Sequence, residues 1–325
     1  MSKTKSKNIS KKQIMKSKSK NAIKSSNKTD SRNKTESKNK TGPKQPKTVQ
    51  KPENISTNYP NWEVLMYKKI SLSSPILIEG MPGIGNVGKI VMDVLIEESK
   101  ANLFMTFFSN QLPNNVFVNE ENLVDLPKLS LYHKNINNQD YLFLTGDVQP
   151  INEQASYEFS GMIIELFKRF NGKYLITLGG IGLNDIPSDP KVYITGNNSS
   201  LVNMVSKNLE KKKIHVETKI YGHVGPILGV SGVLLGISKK NDMAAYSLLS
   251  ETFGHPIYVG LKAAKAILNI LNHYYDFKIN LEKIDKEIKQ IDAQMQGLNN
   301  DSEISEDAKD KMLKYKKYSD VNYIG

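Results

Sequence analysis

The chain has 325 residues, of which 38% are apolar, with no cysteine and a formal net charge of +12. That apolar content suffices for a sizeable core, while the lack of Cys excludes a disulfide framework, a thiolate metal site and a cysteine nucleophile. No apolar run reaches the roughly 18 residues that span a bilayer, and the N-terminus lacks the apolar centre of a signal peptide, so the expectation is a cytoplasmic protein without membrane attachment.

The charge sits at one end. Residues 1–50 hold 16 Lys and Arg against two acids, Asp30 and Glu36, so this segment carries +14 and the remainder −2. Residues 1–57 have too few apolar side chains to offset chain entropy and are expected to form a disordered Lys-rich arm. Such an arm suits salt-sensitive contact with nucleic acid or another acidic surface; equally, with no aromatic residue in that basic stretch to stack on bases, it suits a solvated tail.

Folded structure is expected from near Trp62, where Glu63 to Tyr67 reads as a short strand or capping segment. The apolar run Ile76-Leu77-Ile78 then breaks into a loop with glycines at 80, 83, 85 and 88, followed by an amphipathic stretch carrying Val91, Val94 and Leu95. Strand, tight loop and helix start is the expected order, an arrangement in which backbone N–H groups can approach an anion. Gly83-x-Gly85-x-x-Gly88 fits a dinucleotide fingerprint, yet no acid stands after the next strand, which ends at Phe108 and runs into Ser109-Asn110. Gly83 to Lys89 also fits a phosphate-cradling loop, but Ile90 occupies the position at which magnesium needs a Ser or Thr. The other role for these glycines is to let the first helix pack closely on the first strand.

Further strands are expected at Leu103–Phe108, as short pieces within Val116–His133, and at Tyr141–Gly146. Phe159, Met162, Ile163, Leu166 and Phe170 share one helical face within residues 152–170. Tyr174–Leu178 is a strand entering a second glycine turn at Gly179-Gly180-Ile181-Gly182. Val192–Gly196 is another strand, Ser200–Leu209 a helix capped by Ser199 or Ser200, and Ile214–Val216 a candidate strand. Small and apolar residues over Gly229–Gly236 suggest a buried helix, Ala244–Thr252 a late central strand and Val259–Tyr275 its helix. This alternation predicts an α/β fold, a three-layer α/β/α sandwich with a mainly parallel sheet, over residues 58–277.

Residues 278–325 form a separate helical segment and tail. Leu281, Ile284, Ile288, Ile291 and Met295 repeat at intervals of three and four, a narrow heptad seam suited to oligomerisation or partner binding, or to packing back on the domain.

A catalytic set is not evident. None of the five histidines has the helical spacing of a metal pair, and no Gly-x-Ser-x-Gly elbow occurs. Asp147, Asp185, Asp189 and Glu251 follow or end strands, where an open α/β sheet would gather them near Gly80–Gly88. No enzyme activity, cofactor or metal is therefore assigned. The alternative is an enzyme or sensor that binds a nucleotide or phosphate ligand through Gly83, Gly85, Gly88 and Lys89 of the loop Gly80 to Gly88.

Four ordered motifs add a resemblance: Ile78-Glu79-Gly80-Met81-Pro82-Gly83-Ile84-Gly85-Asn86-Val87-Gly88, Thr177-Leu178-Gly179-Gly180, Gly229 to Gly236, and Leu248 to Gly254. Together they resemble the proteasome assembly chaperone family, in particular archaeal relatives of the eukaryotic second chaperone subunit, over residues 62–275. The resemblance implies a phosphorylase-like topology, self-association, and binding to 20S proteasome α subunits without catalysis. It also implies that a hydrophobic-Tyr-any tail docks between α subunits in some members. This chain ends Asn322-Tyr323-Ile324-Gly325, with Tyr third from the end, so Tyr323, Ile324 and Gly325 match that anchor only in part.

Overall fold

The computed structural model describes residues 51–222 and 224–298. In chain order the elements are β1 (Glu53–Asn54), β2 (Trp62–Met66), β3 (Ile76–Glu79), a 3-10 turn (Ile84–Asn86), α1 (Val87–Ser99), β4 (Asn102–Ser109), β5 (Phe117–Val118) and β6 (Val124–Asp125). There follow β7 (Leu129–Ile136), β8 (Gln139–Gly146), α2 (Glu153–Arg169), β9 (Tyr174–Leu183), β10 (Val192–Gly196), α3 (Ser199–Lys211), α4 (Gly229–Lys240), β11 (Ala245–Phe253), α5 (Leu261–Tyr275) and α6 (Glu282–Leu298).

Nine strands form one sheet in the order β1-β2-β4-β7-β8-β3-β9-β11-β10. The parallel ladders occupy the centre, β8-β3-β9-β11, and both flanks are antiparallel. One cause of the antiparallel flank is local. β7 and β8 are joined by Asn137-Asn138, both at positive φ (52° and 61°), the two-residue turn whose twist matches paired antiparallel strands. The sheet also starts upstream of Trp62 and inside the expected 57-residue arm, because Glu53 and Asn54 pair with Met66 and Leu65; residues 1–50 of that arm lie outside the described residues.

Side-chain alternation along β3 builds the two faces. Ile76 and Ile78 enter one core with Val91 and Leu95 of α1, Leu201, Val205 and Leu209 of α3, and Ile267 and Leu271 of α5. Leu77 enters the other core, with Phe159 and Ile163 of α2 and Leu234 of α4. Helices α1, α3, α5 and α6 thus cover one face and α2 and α4 the other, which is the expected α/β/α sandwich.

Three local expectations are corrected. Gly179–Gly182 is not a turn: β9 runs through it unbroken to Leu183, paired with β11. The cap of α3 is Asn198, whose side chain accepts from the Leu201 amide at 2.9 Å, in place of Ser199 or Ser200, which lie inside the helix. Ile214–Val216 is not a strand: the adjoining Glu217 makes only an isolated bridge to Tyr193 on the outer side of β10.

The seam on α6 faces inward as far as its side chains are described. Ile284 is buried in the first core, and Leu281, Ile288 and Ile291 pack against that core. The side chain of Met295 and the tail residues Tyr323, Ile324 and Gly325 lie outside the described residues.

Candidate functional site

The first glycine turn is built by close approach of main chain to main chain. A Cβ on Gly88 would lie 2.7 Å from the Leu178 carbonyl oxygen, and one on Gly80 would collide with the carbonyl of Gly88. Gly80 stays tied to β8, donating to the Leu144 carbonyl at 3.0 Å and accepting from the Thr145 hydroxyl at 3.0 Å. Gly85 and Asn86 then take left-handed conformations (φ 61° and 52°), and α1 starts at Val87.

Above this turn lies a cleft of about 370 Å3. Its walls are Met81 to Ile84, Leu178 to Gly182 at the end of β9, and Val224 to Gly229 before α4. Gln149 closes one side: its Nε2 donates to the Pro82 carbonyl at 2.6 Å, while its Oε1 accepts from the Val230 amide at 3.0 Å. Among the described residues that line the cleft, none is charged.

Beneath the cleft stands Glu79, the last residue of β3, with 0% exposure. Its Oε1 accepts from Ser231, a cleft residue on α4, at 3.0 Å, and its Oε2 is buried without a hydrogen-bond partner. Burial pushes its pKa up to about 8, against the opposing influence of Ser231 and the Met81 amide. Near neutral pH the group is therefore mainly the uncharged acid. Sequence reasoning passes over Glu79, Gln149 and Ser231; the available signal is one acid closing an otherwise apolar four-residue strand.

The residues named for the alternative phosphate site face different surroundings. Gly83 and Gly88 line the cleft, whereas Gly85 is buried against Thr252. Lys89 lines a different crevice, with Asp93, Lys128 and Asp147, and its ammonium donates to Asp93 at 2.5 and 2.6 Å. Of the strand-end carboxylates, Asp147 comes near this loop, in the crevice it shares with Lys89. Asp147, Asp185, Asp189 and Glu251 do not line the cleft, and Glu251 instead accepts from the Tyr193 hydroxyl and the Lys191 amide. Among the described residues no group of three or more His, Asp or Glu is placed to hold a metal ion, and no helix is long and apolar enough to cross a membrane.

A second surface stands out at the hairpin of β5 and β6. Val116, Val118, Leu123, Val124 and Leu126 are each between 46% and 66% exposed. Val116 and Leu126 also border a groove of about 520 Å3 with Phe108, Leu112 and Pro113.

Known proteins share this architecture. An uncharacterised protein of Methanocaldococcus jannaschii is 26% identical over 254 residues, covering 78% of this chain and 93% of the relative. Among solved structures, Pyrococcus furiosus PbaB, an archaeal proteasome activator, is 29% identical with a TM-score of 0.68, covering 74% of this chain and 99% of that one. Pyrococcus furiosus PbaA, an archaeal homolog of proteasome-assembly chaperone, is 25% identical with a TM-score of 0.60, covering 78% and 97%. The model of the PAC2 family matches residues 77–299, and the chain belongs to that family.

Proposed function

We propose that this chain is a non-enzymatic adaptor of the proteasome-assembly-chaperone type, which binds 20S proteasome α subunits and self-associates. The observation that carries this reading is the likeness, across nearly the whole of each neighbour, to an archaeal proteasome activator and an archaeal homolog of proteasome-assembly chaperone. The exposed apolar hairpin supports it, since contiguous exposed apolar side chains mark protein-binding surfaces. With the α6 seam turned inward through Ile291, that hairpin is the stronger candidate surface, and Tyr323 to Gly325 remain a candidate anchor.

The test is pull-down of 20S α subunits by the full chain, by a chain lacking Tyr323–Gly325, and by a Val118→Lys, Val124→Lys variant. Capture by the full chain and a loss of about tenfold or more in one of the altered forms is expected. Absence of capture by the full chain would overturn the reading. Light scattering on the same proteins reports self-association.

A further inference from the structure

Over its last residues β9 is paired on one side only. β3 ends at Glu79, opposite Thr177, while β9 continues to Leu183 with β11 as its partner on the other side. Gly179 to Gly182 therefore border the cleft beyond the end of β3, and the missing side chain at Gly180 makes room on one face for the Ile84 carbonyl, which a Cβ would meet at 2.5 Å. None of the described residues that line the cleft is charged. Exposed Ile84 (50%) and Leu228 (76%) flank it, and the unpartnered Oε2 of Glu79 lies beneath.

We propose that this cleft docks an extended, uncharged peptide segment of a partner protein, which adds as a strand beside Gly179–Gly182. Main-chain hydrogen bonds to β9 supply the affinity, and the flanking apolar side chains favour Val, Ile or Ala in the segment. Charge complementarity selects against acidic and basic segments, because a charge in this lining would be desolvated without a counter-charge. The free length of β9 suits a segment of about four to six residues. The inference is independent of the α-subunit reading, since it concerns peptide chemistry and not the identity of the client.

The experiment measures fluorescence anisotropy of labelled peptides of about six residues built from Val, Thr and Ala, titrated with the full-length protein. Matched peptides carry one central Asp or Lys. Gly83→Trp and Gly225→Trp introduce bulk at two lining positions where an added Cβ meets nothing within 4 Å, and thermal melting of each variant checks that it is folded. Saturable binding of neutral peptides is expected, weakened about tenfold or more by the central charge and by either Trp variant. Amide hydrogen exchange at Gly179–Gly182 of the unmodified protein should slow on saturation. No saturable binding up to about 1 mM, equal binding of charged peptides, retention by both variants, or unchanged exchange would each overturn the proposal. Because no proteasome subunit enters this assay, its failure leaves the α-subunit reading standing, and the reverse also holds.

Discussion

The root and the tip of the first glycine turn differ in what their glycines are for. At the root, Gly80 and Gly88 have no space for a side chain, since main chain lies against them. At the tip, a Cβ on Gly83 would meet nothing within 4 Å, and Gly83 opens on the cleft. One glycine motif thus serves two ends: the root seals helix to sheet, and the tip keeps a surface open.

The largest effect should come from the root. Gly88→Ala places a methyl group against the Leu178 carbonyl, and a loss of about 3 kcal/mol or the failure to fold is expected in urea titration. Glu79→Gln comes next and depends on pH. The folded pKa of Glu79, about 8, lies above its ordinary value of 4.5, so its protonation favours the folded state fully below that ordinary value. That contribution is lost as pH rises through about 8. The glutamine variant lacks this loss, so its unfolding free energy relative to the parent should rise by a few kcal/mol between about pH 5 and 8, at about 1.4 kcal/mol per unit. A flat difference would mean that the carboxyl is hydrated.

Gln149→Ala removes the link between Pro82 and Val230, and should cost about 1–3 kcal/mol in the same titration. The smallest effect belongs to the tip: Gly83→Ala should stay within about 0.5 kcal/mol of the parent. If it cost as much as Gly88→Ala, the distinction between root and tip would fail.

Much of the architecture is legible in the chain because local periodicity is strong in buried elements. The apolar run at Ile76–Ile78 and the spaced Phe159, Met162 and Ile163 give strand and helix directly. The α3 cap is ambiguous in sequence because Asn198, Ser199 and Ser200 are all good capping residues, and only backbone geometry selects Asn198. The α6 seam is visible as spacing, but spacing does not say which surface covers it; Ile284 in the core answers that for its own position. The cleft is the least legible feature. Glu79, Gln149 and Ser231 are far apart in sequence, and their meeting depends on strand order, which periodicity does not encode.

That strand order has a consequence for folding kinetics. β3 lies between β8 and β9, so Ile76 must wait for Tyr141 on one side and Tyr174 on the other. During synthesis this apolar strand emerges long before either neighbour, and its pairing closes large loops. A refolding rate set by assembly of β8, β3 and β9 is therefore expected to be slow for a chain with so many helices.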